Sequence, residues 1–106
     1  MIKAVVLNAI WNICFIEDGR NAEGKLVAKD FFPKNQYKAA LSLRKKIADC
    51  VKTEGETTLI SEGDFTLTDS EKDFVADCVK DRSEIPVLDE ATIEAFKEAT
   101  GVDLVA

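Results

Sequence analysis

Histidine is absent from this 106-residue sequence. With it go the serine–histidine and cysteine–histidine pairs of nucleophilic catalysis and most zinc and iron sites. Cysteine is scarce: Cys14, Cys50 and Cys78 are an odd number, far apart, with no C-x-x-C pair. A secreted disulfide scaffold needs a denser, even set. Each cysteine sits in an apolar pattern, so each is expected to be a buried, inert thiol. Proline occurs only at Pro33 and Pro86, and no Pro/Gly/Ser-rich linker divides the chain, which reads as one domain at this length. The glycines form no G-x-G-x-x-G or complete phosphate-binding loop. The lone G-x-x-x-x-G, from Gly19 to Gly24, is followed by Lys25 and Leu26 and lies in a turn. No stretch approaches the roughly 20 apolar residues that span a bilayer. The start, MIKAVVLNAIWNICFIED, superficially imitates a signal peptide, but Asn8 and Asn12 interrupt it and no small-residue cleavage site follows. The expectation is a cytoplasmic protein with no cofactor, no metal and no membrane contact.

What is present is an ordinary globular composition, 46% hydrophobic and 32% charged. Residues 2–17 read as β. Their odd positions, Val5, Leu7, Ala9, Trp11, Ile13 and Phe15, are all apolar, and period-two alternation marks a strand. The run is long for one strand, so it is expected to bend or to break near Asn8 or Asn12. The segment EDGRNAEG (17–24) supplies a turn, and KLVAKDFF (25–32) returns as the second arm of a hairpin, ended by Pro33. A helix follows, capped by Asn35 and stopped by Gly55 after about Glu54, with Ala40, Leu43, Ile47, Cys50 and Val51 inward. A third strand is expected over Thr57–Ser61. Thr68 and Glu71 form a capping box that opens a second helix, with Phe74, Val75 and Cys78 inward. A third helix runs from Asp89 to about Thr100, ended by Gly101. The expected fold class is α+β, a small antiparallel sheet packed against three helices in the order β-β-α-β-α-α.

Helices on one side leave the other face of such a sheet to explain. Its residues would be Val6, Ile10, Cys14 and Ile16, a large apolar surface to leave wet. Adjacent Phe31 and Phe32 on a strand would point to opposite faces, which adds to the apolar surface there. Either the sheet curls over its own core or a second body docks on it. Trp11 reads as core, though tryptophan is also a favoured interface anchor.

Charge is segregated along the chain. Residues 34–53 hold six bases (Lys34, Lys38, Arg44, Lys45, Lys46, Lys52) against Asp49, whereas residues 54–106 hold fifteen acids against four bases. The basic helix does not read as a nucleic-acid surface. The chain carries a net charge of −6, and its aromatics are not interleaved with the bases. Asp69, Asp73, Asp77 and Asp81 recur every fourth position and form a slanted acidic stripe on the second helix. Like charges at that spacing cost roughly 0.2–0.5 kcal/mol per pair, so the stripe is either tolerated hydrated surface or a docking face for a basic partner. It fits no calcium-loop pattern.

Two functions follow as expectations. The first is a non-enzymatic protein-interaction module, a subunit of a homo-oligomer or larger assembly. Its contacts are the outer sheet face (Val6, Ile10, Trp11, Ile16, Phe31, Phe32), with Lys38, Arg44, Lys45 and the four aspartates setting orientation. The second is a small acidic regulator or inhibitor whose C-terminal half masks a basic surface on its target. Compact accessory proteins, viral ones included, work in this way by analogy.

Overall fold

Residues 4–14, which the sequence suggests are β, form a helix. The computed structural model describes residues 1–17, 23–24 and 27–105. Helix α1 spans Ala4–Cys14, and α2 spans Tyr37–Ala48 after a single 3-10 turn at Lys34–Gln36. Strands β1 (Val51–Glu54) and β2 (Thr57–Ile60) follow, then α3 (Asp69–Asp81) and α4 (Glu90–Thr100). The expected three-stranded sheet in the order β-β-α-β-α-α is thus corrected. Among the described residues there are four helices and one two-stranded antiparallel hairpin, in the order α-α-β-β-α-α.

The reason lies in α1 itself. Its buried residues are Val6, Leu7, Ala9, Ile10, Ile13 and Cys14, which is helical spacing. Asn8 and Asn12, one turn apart, are not strand breaks; they mark the polar stripe, and the Asn12 side-chain amide donates to the Asn8 carbonyl at 2.9 Å. A run apolar at nearly every position satisfies period two and period 3.6 alike, and its valines and isoleucines tilt a reading towards β. The expected hairpin partner, residues 25–32, contributes one isolated antiparallel bridge, Ile16 to Ala28, flanked by Glu17 N–H to Val27 C=O (2.7 Å) and Lys29 N–H to Phe15 C=O (2.9 Å). Residues 18–22 of the expected turn, and residues 25–26, lie outside the described residues.

Helix α1 is the hub, packed against α2, α3, α4 and β2. Its ends are tied to distant segments. Ile2 and Gly63 exchange backbone hydrogen bonds of 2.8 and 2.9 Å just before the helix starts. A Cβ at Gly63 would lie 2.6 Å from the Phe65 ring and 3.1 Å from Leu7 Cδ1, so this crossing needs glycine. At the other end, two guanidinium nitrogens of Arg82 donate to the Asn12 and Ile16 carbonyls at 2.6 and 2.9 Å. A cation there also suits the negative end of the helix dipole. A ring cluster seals the same end: Phe15 lies 5.1 Å from Trp11 and 5.9 Å from both Phe32 and Phe74, centroid to centroid.

Helix α2 ends six residues before the expected stop, because VKTE (51–54) turns into β1. Gly55 is the first residue of a two-residue hairpin loop, with φ +62°. That positive φ next to an ordinary Glu56 suits a type II′ turn, which matches strand twist. Asn35 does not cap α2, which starts without a side-chain cap. Helices α3 and α4 begin and end as expected: the Thr68–Glu71 capping box, the Asp89 N-cap and the left-handed Gly101 are all present.

Glu71 does more than cap. It is buried, its Oε1 accepts from Thr68 N–H at 2.8 Å, and the same oxygen pairs with Lys46 Nζ of α2 at 2.8 Å. Burial alone would push this carboxyl up. The Lys46 ammonium, the Thr68 amide and the Ser42 hydroxyl outweigh it and hold the group below its ordinary value.

Both polar ties should show in the stability of the chain. Because the Glu71 carboxyl titrates lower in the folded than in the unfolded chain, its contribution is complete above the unfolded value and is lost as pH falls through the folded one. Glu71→Ala is expected to cost about 2–3 kcal/mol in urea melts at pH 7, from a broken buried pair moderated by the part-exposed lysine, and a lost cap. Glu71→Gln should also flatten the drop in stability between about pH 5 and 3. Arg82→Ala is expected to cost about 2–3 kcal/mol through two lost charge-assisted bonds, read as a lower melting temperature.

Candidate functional site

The residues expected on an outer sheet face do not form a common surface. Val6 and Ile10 are fully enclosed by the chain's own core, as is Cys14, so no second body is needed to cover them. This corrects the expectation of a wet apolar sheet face, and the cause is the helical identity of residues 4–14, which turns these side chains into the hub. Ile16 is half-buried beneath the Ala28 bridge, its carbonyl taken by Arg82. Phe32 is half-buried between Phe15 and Phe74, with the Lys29 ammonium and Arg44 guanidinium 5.8 and 5.9 Å from its ring centre. Phe31 points away and is 85% exposed. Trp11, half-buried, lines an open groove.

The charged candidates lie outside. Lys38, Arg44 and Lys45 are exposed on α2, and Asp69, Asp73, Asp77 and Asp81 are exposed on α3. Asp77 accepts a hydrogen bond from Gln36 Nε2 at 2.6 Å, but none of the four aspartates forms an ion pair among the described residues. The basic helix meets the acidic half of the chain chiefly through Lys46 and Glu71, so most of the segregated charge faces water.

An uncharged groove runs between the outer stripe of α1 and the hairpin. It encloses about 550 Å³ and is lined by Ala4, Val5, Asn8, Trp11, Val51, Thr58, Leu59 and Ile60. Val5 and Val51 stand 53% and 39% exposed around it, and Leu59, 54% exposed and on the opposite face of the hairpin, reaches only its rim. Asn8 continues the floor into a neighbouring depression beside Pro86 and Val87, the latter wholly exposed. The pairing Val51↔Ile60 and Thr53↔Thr58 puts these four side chains on one face of the hairpin. The sequence reading missed Val5, Val51, Leu59 and Ile60. The available signals were the Asn8–Asn12 spacing, which makes Val5 part of the outer stripe of a helix, and the V-x-T alternation ahead of Gly55.

A second, polar cleft of about 310 Å³ lies between Gln36, Lys29 and α3, with Cys78 in its wall beside Asp77, Lys80 and Asp81. The Cys78 thiol lies beside that of Cys14. The interaction with Cys14 holds the Cys78 thiol below its ordinary value against the opposing effect of burial, and Lys29 helps. The same interaction together with burial pushes the Cys14 thiol well up. Cys50 is half-buried and donates to the Lys46 carbonyl at 3.3 Å. No group of three or more metal-ligating side chains occurs among the described residues, and no described helix is long and apolar enough to cross a membrane. Comparison with protein-family models, curated proteins and solved structures finds no match.

The thiol arrangement sets an order of reactivity. Under native conditions near neutral pH, iodoacetamide followed by peptide mapping should label Cys78 well before Cys14, and Cys14 only on unfolding. Early labelling of Cys14 would contradict its complete burial, against Cys78 in the wall of a cleft.

Proposed function

We propose that this protein is a non-enzymatic protein-interaction module that binds an apolar segment of a partner protein in the groove between α1 and the hairpin. The observation that carries the reading is the composition of that groove. All eight lining residues are uncharged, in a chain 32% charged, and two large apolar side chains, Val5 and Val51, stand exposed along it, with Leu59 at its rim. Exposed apolar surface costs solubility, and a contiguous, polar-rimmed patch of it is characteristic of a contact site. The groove is open along its length, a shape that suits a peptide segment better than an enclosed small molecule. Trp11 would be the buried anchor, with Val5 and Val51 as its walls.

The runner-up, an acidic regulator, draws on the four exposed aspartates of α3, which no described cation neutralises. The two readings differ in what they select. Peptides selected from a random displayed library on the purified protein are expected to be apolar. Because Trp11 is the only tryptophan, their binding should shift its emission to the blue. Val5→Asp should weaken that binding at least about tenfold, the scale of one lost apolar contact plus a desolvated charge, while Asp73→Lys leaves it unchanged. Lysine- and arginine-rich peptides that ignore Val5→Asp and are lost with Asp73→Lys would overturn the groove reading in favour of the acidic one.

A further inference from the structure

The hairpin has a second unsatisfied surface, and it is not the groove. The hairpin packs against α1 chiefly through β2, and β1 is paired on one side only, with β2. All four β1 residues are exposed, and no other described strand pairs with its far edge. The hydrogen-bond phase of β1 is known. The Ser61 N–H donates to the Cys50 carbonyl at 2.8 Å, so Cys50 turns its carbonyl towards the strand that β2 continues, while its N–H goes to Ile47 C=O. Alternation along an antiparallel strand then turns the backbone polar groups of Lys52 and Glu54 towards β2, and those of Val51 and Thr53 outward.

From this phase we infer that β1 pairs with β1 of a second copy of this chain, antiparallel and centred on Thr53, to give a four-stranded sheet in the order β2-β1-β1-β2. The inference goes beyond the groove reading and uses the opposite edge of the hairpin. A twofold axis at Thr53 sets the two Thr53 residues in a hydrogen-bonded pair, each donating its outward N–H to the other's outward C=O. Lys52 of each copy then faces Glu54 of the other, in the closer, non-hydrogen-bonded kind of pair, where unlike charges are favourable. Thr53 already pairs with Thr58 within the hairpin, so the dimer would carry a row of four threonines across one face.

The charges also select the register. Slipping the centre by one residue puts Lys52 opposite Lys52 or Glu54 opposite Glu54, and like charges directly across are destabilising. A lysine on a bare edge ordinarily deters pairing. Here it deters strands that bring no acid to that position and accepts the one that does. A four-residue strand buries far less than a standard interface, so the dimer is weak and concentration-dependent.

Sedimentation velocity over about 10 µM to 1 mM tests the pairing, a range suited to small interfaces. The mass is expected to rise from 11.7 kDa towards twice that value, and to rise less at high salt. Thr53→Pro removes the outward N–H at a position where an edge strand tolerates proline, and should leave a folded monomer. Lys52→Glu alone should weaken association at least about fivefold, and the double swap K52E/E54K should restore it, since unlike charges again face each other. Circular dichroism confirms that each variant is folded; the charge swap decides the matter if the proline variant is not. A mass of 11.7 kDa throughout would overturn the pairing. So would a double swap no better than the single one, or a dimer lost on Val5→Asp and kept in Thr53→Pro, which would assign self-association to the groove.

Discussion

A helix that is apolar on nearly every side has to be enclosed, and enclosing α1 sets where the other elements lie. Leu7, Ile10, Ile13 and Phe15 are each almost wholly out of water, worth roughly 1.5–3 kcal/mol apiece. That burial supplies the drive but little direction, because apolar contact has no preferred geometry. Direction comes from the helix ends. Ile2 is pinned to Gly63 at one end, and Arg82 reaches the last carbonyls at the other. These few polar contacts fix the loop before α3 and the end of α3 against the same helix.

The Lys46–Glu71 pair does for α2 and α3 what Arg82 does for α1. One carboxylate oxygen closes the capping box and meets the ammonium of the neighbouring helix, so a local start signal becomes a tertiary contact. The remaining charges are not consumed in this way. Arg44 leans over Phe32, and Lys38 and Lys45 remain at the surface with the four aspartates of α3. The strong segregation of charge along the chain is therefore mostly a property of its outer surface and only slightly a device for folding.

The hairpin is the least enclosed element, with seven of its eight strand residues exposed. A two-stranded sheet is marginal by itself, and here it leans on α1 chiefly through β2. That leaves an uncharged groove on its inner side and an unpaired backbone edge on its outer side. Both features come from the same strand geometry. Alternation sends Val51, Thr53, Thr58 and Ile60 to one face and Lys52 and Glu54 to the other. The groove and the edge are thus separate surfaces with different chemistry, one apolar and one dominated by backbone hydrogen bonding.

Local signals with a fixed stereochemical meaning were readable without coordinates. Thr68 and Glu71, Asp89, and Gly101 marked the bounds of α3 and α4, because capping and left-handed turns involve residues only a few positions apart. The inward faces of Ala40, Leu43 and Ile47, and of Phe74, Val75 and Cys78, were legible because polar residues separate them and so reveal the period. Helix α1 was not legible, since a segment apolar almost throughout carries no period to read. Its two asparagines signal a polar stripe only once the helix is known. Nor did the chain order tell that Val51 and Ile60 would lie beside Val5, or that Cys14 would meet Cys78. Those juxtapositions were decided by packing, which brings together side chains whose separation in sequence has no bearing on their distance in space.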